Sequence, residues 1–228
     1  MNHAPSAETS IAVVGGTGPQ GRGLAYRFAL AGHRVVLGSR DNGRATEKAG
    51  EINERLAGAG REVAGATNAD AVAAAEVVLL AVPWDGHGDL VASLAGGLAG
   101  KVVISCVNPL GFDGGGPFGL VLEESAAQET QRLVPSARVV GGFHHVAALS
   151  LWKTPEPLAH EDVLVCGDDV ESKAVVQDLA VAVTGKRGID AGALRLARQL
   201  EPLTAVLISM NKRYKTRSGV AITGVEQG

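Results

Sequence analysis

Short runs of Val, Ile and Leu recur along the chain with no polar alternation: SIAVVG (10–15), RVVLG (34–38), EVVLLAV (76–82), KVVISC (101–106) and RVVGG (138–142). A strand with one face in water alternates apolar and polar residues, so runs like these describe strands covered on both faces. EVAGA (62–66) adds a weaker strand of the same kind. Amphipathic or alanine-rich stretches over 20–31, 42–57, 69–75, 86–96 and 123–133 separate the runs and predict helices. Doubly covered strands that alternate with helices leave one main solution, an α/β fold with a doubly wound parallel sheet.

Two segments break this rhythm. NPLGFDGGGPFG (108–119), with five glycines, reads as a long loop, a kind of segment often used for function. WKTPEP, just past residue 150, reads as a connection into a last unit: a strand at 162–167, a helix at 169–183, a short strand at 186–190 and a long helix at 193–213. Asp168 and Glu171 predict a capping box at the start of the 169–183 helix. Asp85 and His87, after VPW, read as solvated loop residues.

Composition excludes several classes of partner. A net charge of −3 offers no basic surface for nucleic acid or membrane. The apolar stretch AVAAAEVVLLAVPW is broken by Glu76 and falls short of a bilayer span. MNHAPSAET (1–9) has neither the basic start nor the apolar core of a signal peptide, so the cytoplasm is the expected compartment. Cys106 and Cys166 each end an apolar run and are expected to be buried thiols in a reducing environment.

The first strand runs into GGTGPQG. Gly16, Gly18 and Gly21 satisfy G-x-G-x-x-G between a strand and a helix, the context in which this spacing binds a dinucleotide. Gly16 is read as the tight turn, Gly18 as the point of pyrophosphate approach and Gly21 as the close helix–strand contact. After the second strand an NAD-binding protein presents Asp or Glu to the ribose hydroxyls, but here LGSRDNGRA puts Ser39 and Arg40 in that place. A carboxylate repels a 2′-phosphate, whereas Ser39, Arg40 and Arg44 attract one. Asp41 suits the N-cap of the 42–57 helix. The expected cofactor is NADP, in a Rossmann domain over 10–150, followed by a small C-terminal α/β or helical domain over 151–228.

Catalytic side chains are scarce. No Tyr-x-x-x-Lys pair, nucleophile–base set or metal-ligand spacing stands out. His144 and His145 lie at the end of the 138–142 strand and point to opposite sides, so one of them either faces the crevice or sits in the core.

GGTGPQGRGLA, GSRDNGRA, VPW, ESAA, GGFHHVAA, VCGDDVESK, DAG and EPLTAVLISMNKRYK together resemble the NADPH-dependent F420 reductases (F420H2:NADP oxidoreductases) over nearly the whole chain. The resemblance implies a homodimer that exchanges a hydride between NADP and coenzyme F420, a deazaflavin. It places nucleotide contacts on Thr17, Gly18, Pro19, Gln20, Ser39, Arg40 and Arg44. Contacts near the nicotinamide fall on Val82, Trp84, His144, Val146 and Ala148, with His144 orienting or polarising a ring carbonyl. The chain departs from the pattern at Ala147, where archaeal members are expected to carry proline, at its second histidine and at the glycines 114–116. A deazaflavin of this kind brings a phosphate and a glutamate tail, for which Lys212, Arg213, Lys215 and Arg217 are candidate partners. Reduction of a flavin or small molecule, and a non-catalytic NADP sensor, are the alternatives that the residues leave open.

Overall fold

The computed structural model describes residues 8–225. Strand and helix alternate strictly through β1 (Ser10–Val14), α1 (Pro19–Leu30), β2 (Arg34–Ser39), α2 (Asn42–Leu56), β3 (Val63–Thr67), α3 (Asn68–Ala73), β4 (Val77–Leu80), α4 (His87–Leu98) and β5 (Val102–Ser105). A hairpin of β6 (Leu110–Asp113) and β7 (Gly116–Gly119) follows, then α5 (Ala126–Leu133), β8 (Arg138–Gly141) and α6 (Ala148–Lys153). The chain closes through β9 (Leu164–Gly167), α7 (Val170–Leu179), α8 (Val181–Thr184), β10 (Ile189–Gly192) and α9 (Ala197–Tyr214).

Eight strands form one sheet in the order β10-β9-β8-β5-β4-β1-β2-β3. The pairing is parallel except where β9 runs antiparallel to β8. The pleat sends successive residues to opposite faces. Ile11, Val13, Leu37, Leu79 and Ile104 pack under α1, α2 and α6, against Leu24, Phe28, Ile52 and Leu151. Ala12, Val14, Val78, Leu80 and Val103 meet Val72, Val91, Leu98 and Ala127 of α3, α4 and α5 on the other face. Each fully buried aliphatic side chain contributes about 1.5–3 kcal/mol, so two covered faces explain why the runs show no alternation. Between β1 and β4 the direction of winding reverses, and a crevice opens there beyond the carboxyl ends of the strands.

Four local expectations change. The segment 108–119 is ordered as the β6–β7 hairpin, with Gly116 supplying a positive φ of 115° at the turn. Its last residue, Gly119, lies so close to α9 that a Cβ there would meet Pro202 Cβ at 2.5 Å. The cap of α7 is Asp169, which accepts from Ser172 N at 2.8 Å, while Asp168 accepts from Leu194 N at 3.0 Å. The single helix expected over 169–183 breaks into α7 and α8. The sheet also continues across residue 150, since β9 hydrogen-bonds to β8. Both cysteines are free and buried. No helix among the described residues is long and apolar enough to cross a membrane.

Candidate active site

The turn after β1 is built by four glycines with separate tasks. Gly15 carries the positive φ, 70°. A Cβ on Gly16 would meet Leu37 Cδ1 at 2.5 Å, and one on Gly21 would meet Gly16 Cα at 2.7 Å, so both are glycines for packing. Gly18 differs: a Cβ there would meet only Gly15 O, at 3.7 Å, and it faces open space at the start of α1. No side chain caps that helix, and Pro19 occupies its first turn. The uncapped end, with its positive partial charge, suits a pyrophosphate. The left-handed residue is therefore Gly15 rather than Gly16, and the signal was the Gly-Gly doublet. Asn68 steadies the turn by accepting from Gly15 N at 3.3 Å.

Beside this turn a cavity of about 480 Å³ is lined by Thr17, Ser39, Arg40, Arg44, Asn68 and Asp85, among others. Ser39 is buried, and its Oγ accepts from Asp41 N at 3.2 Å. Asp41 caps α2, accepting from Arg44 N at 3.0 Å, so its carboxylate is engaged with the backbone. Arg40 and Arg44 are exposed and form no ion pair among the described residues. Two such arginines around a buried hydroxyl make a cationic corner fitted to a 2′-phosphate.

A larger cavity of about 1090 Å³ shares Gly18, Ala81, Val82 and Pro83 with the first. The two therefore adjoin across the end of β4. Its walls include Pro19, Gln20, Cys106, Asn108, His144, Val146, Ala148, Thr204 and Ile208. Burial and then the neighbouring His145 push the His144 pKa down to about 3, so the ring is neutral at physiological pH. The Asn108 amide donates through Nδ2 to the His144 carbonyl at 3.2 Å, which turns its Oδ1 toward His144 Nδ1 at 3.2 Å. That orientation assigns the ring proton to Nδ1. Nε2 is buried without a hydrogen-bond partner. In this tautomer His144 offers the cavity no N–H with which to polarise a carbonyl. His145 points the other way and donates to Leu200 O at 2.7 Å. Cys106 is held as a neutral thiol, its pKa pushed up to about 12 by burial.

Phe143, just before His144, has a φ of 63°, which is rare for a bulky residue. Its ring stacks edge-on against Phe28 at 5.7 Å, and its carbonyl accepts from Gln20 Nε2 at 3.3 Å. The strained turn is thus tied to the first turn of α1. The wall formed by α6 is held by Arg27, which is 1% exposed and donates to the carbonyls of Ser150, Leu151, Pro155 and Glu156.

Two expectations around VPW change. Trp84 lines neither cavity and stacks on the His87 ring, with centroids 5.4 Å apart. His87 is buried, with Nδ1 2.7 Å from Glu129 and Nε2 3.2 Å from Thr130 Oγ1, whereas Asp85 is exposed in the turn before α4, as expected, at the edge of the smaller cavity. Of the four C-terminal cations only Lys215 and Arg217 reach the larger cavity. Asn68, Asn108 and Thr204 escaped the sequence reading; an asparagine within a few residues of a strand's carboxyl end was the available signal for the first two. Among the described residues no group of three or more His, Cys, Asp or Glu is placed to hold a metal ion.

The sheet, the glycine turn and the cationic corner define a dinucleotide-binding protein of the Rossmann class, with room for a second ligand beside the nucleotide. Residues 10–109 match the family model described as NADP oxidoreductase, coenzyme F420-dependent. The F420-dependent NADP reductase of Methanothermobacter thermautotrophicus is 37% identical over 223 residues, covering 95% of this chain and 96% of that one. The enzyme of the same name from Methanocaldococcus jannaschii is also 37% identical, over 95% of this chain and 99% of its own. A solved structure of a putative F420-dependent NADP reductase from Arthrobacter sp. superposes with a TM-score of 0.78 at 32% identity, covering 94% of this chain and 100% of that one. The chain belongs to the F420-dependent NADP reductase family.

Proposed function

We propose that the protein transfers a hydride between NADP(H) and coenzyme F420 in the cytoplasm. The observation that carries this reading is the pair of adjoining cavities: Ser39, Arg40 and Arg44 line one, Gly18 and Val82 border both, and the second is roomy with no Asp or Glu in its walls. Residues 10–150 supply the nucleotide half, and 151–228 complete the second. Gly16 and Gly21 shape the turn, Gly18 makes room for the pyrophosphate, and Thr17, Pro19 and Gln20 border it. Ser39, Arg40 and Arg44 take the 2′-phosphate. Val82, Val146 and Ala148 form an apolar seat where the two halves meet.

The two cofactor rings supply the redox chemistry, and the protein supplies alignment and exclusion of water. This division of labour agrees with walls in which His144 and Cys106 are both held neutral. His144 acts by position: its carbonyl gathers Asn108 Nδ2 at 3.2 Å and Thr204 Oγ1 at 3.0 Å, which joins the ends of β5 and β8 to α9. Replacing His144 by Ala keeps that main-chain carbonyl but removes the ring and its Nδ1–H bond to Asn108 Oδ1, so turnover or F420 affinity should fall while NADP binding and folding persist.

A homodimer is part of the proposal. Phe112 and Phe118 of the hairpin and Val206, Met210 and Tyr214 of α9 are exposed and apolar, a face suited to a second copy. The direct test is to mix NADPH, oxidised F420 and protein and follow the deazaflavin absorbance. Its loss at a rate proportional to protein supports the reading. NADPH binding with no change in F420 absorbance, in either direction of reaction, overturns it.

A further inference from the structure

The chain beyond α9 doubles back along the larger cavity. Lys215, at a φ of 51°, ends the helix and turns the chain. Asn211 receives the returning segment: its carbonyl accepts from Thr216 N at 3.3 Å and its Oδ1 from the Ser218 backbone and hydroxyl. Asp162 holds it farther along, donating N–H to Val220 O at 2.7 Å and accepting from Ile222 N at 2.8 Å. Residues 215–222 are thus pinned at two places and form a strap rather than a loose tail.

The strap sets Lys215, Thr216 and Arg217 in the cavity lining, while Lys212 and Arg213 stay outside it. Lys215 and Arg217 are exposed and have no ion-pair partner among the described residues. No Asp or Glu lines this cavity. In a chain with a net charge of −3, two unpaired cations on an acid-free rim create a local field of one sign. The nucleotide's own phosphates have other hosts, at the glycine turn and the Ser39–Arg44 corner, so the strap is left for the second occupant.

We propose that Lys215 and Arg217 form an anion subsite that holds the charged end of the second substrate, with the ring at the Val82 end of the cavity. The proposal rests on the function given above, in which that substrate is F420 with its phosphate and glutamate tail. Neither cation is needed to align the rings.

The test is direct binding, followed by deazaflavin fluorescence. The probes are F420, a form trimmed to its phosphate, and the same deazaflavin lacking phosphate and glutamates. The variant Lys215→Asn/Arg217→Gln removes both charges, and asparagine tolerates the left-handed backbone at 215. Its Kd for F420 should rise about tenfold and lose most of its dependence on ionic strength, because exposed charge pairs are screened by salt. The Kd for NADPH and for the tailless ring should stay within about twofold, which also shows that the variant is folded. Lys215→Arg/Arg217→Lys should retain wild-type F420 binding. F420, unlike the tailless ring, should protect the bonds after Lys215 and Arg217 from trypsin. Weakened binding of the trimmed form assigns the subsite to phosphate; weakened binding of F420 alone assigns it to the glutamates. A charge-free variant that keeps the wild-type salt slope for F420 overturns the proposal, as does an equal loss for NADPH or for the tailless ring. If the wild type binds neither deazaflavin, the functional reading itself fails and the subsite falls with it.

Discussion

Glu201 is the buried carboxylate whose titration the fold should report most clearly. It lies on α9, 2% exposed, and accepts from Ala126 N at 2.9 Å and Ala127 N at 3.1 Å, the first two amides of α5. Those amides have no partner inside their own helix, so the carboxylate closes the start of α5 and anchors α9. Burial raises its pKa from 4.5 to about 7, outweighing the two N–H groups, which lower it. A raised carboxyl pKa means that the folded state binds the proton more tightly than the unfolded chain. The stabilisation is therefore complete below the unfolded value of about 4.5 and lost as pH rises through about 7. The difference corresponds to roughly 3 kcal/mol. Glu201→Gln keeps the shape and removes the titration. Its melting temperature should be slightly below wild type near pH 5, through one lost acceptor, and equal or higher near pH 8.5. At about 2–4 °C per kcal/mol for a chain of this size, the wild-type profile should fall by about 6–12 °C more than the variant's across that window. Thermal melts at matched ionic strength measure it, and groups common to both proteins cancel in the difference. Parallel profiles would refute the burial argument.

Arg40→Ala should weaken NADP by about 1–3 kcal/mol and leave NAD nearly unchanged in a binding titration, since only NADP carries the extra phosphate; equal losses would remove Arg40 from that role. Gly18→Ala should melt like wild type but bind NADPH poorly, because its Cβ would meet nothing nearer than Gly15 O at 3.7 Å. Gly21→Ala should melt lower as well, by about 1–3 kcal/mol, because its Cβ would run into Gly16 Cα at 2.7 Å. Arg27→Met leaves four carbonyls without their donor and should cost about 2–4 kcal/mol by chemical denaturation, with F420 affinity falling more than NADPH affinity because α6 walls only the larger cavity.

The nucleotide half was legible because its determinants are local. Glycine spacing, the uncharged strand end and the arginines all act within a few residues of one another, and runs such as VVLL betray two covered faces. The second half was less so. Asn108, His144 and Thr204 are far apart in sequence and meet only when β5, β8 and α9 converge. The hairpin at 110–119 looked like a loop because its five glycines signal freedom, whereas Gly119 is there for close approach to Pro202. His87 looked solvated after Pro-Trp-Asp-Gly, yet helix α4 turns it inward to Glu129. The antiparallel β9 left no mark, because a strand buried on both faces carries the same residues in either direction.

The same convergence explains how a site with so little acid–base chemistry is kept specific. Transfer between two rings depends first on their alignment, and a charged side chain beside them would bring water. The chain keeps charge at the rims, with Arg40 and Arg44 at one end and Lys215 and Arg217 at the other, and neutral groups between. The neutral middle is rigid for a reason found in the backbone. Phe143 is held in the left-handed region by its packing on Phe28 and by Gln20, and the next carbonyl, that of His144, ties two elements to it. A left-handed phenylalanine costs on the order of 1–3 kcal/mol and persists only where its surroundings over-determine it. Phe143→Gly should relieve that strain and also loosen the tie. Stability should fall through the lost ring, while affinity for the second substrate falls more than affinity for NADPH, whose corner lies outside this network. Equal losses for both ligands would mean that the turn supports the sheet as a whole and does not shape the second cavity.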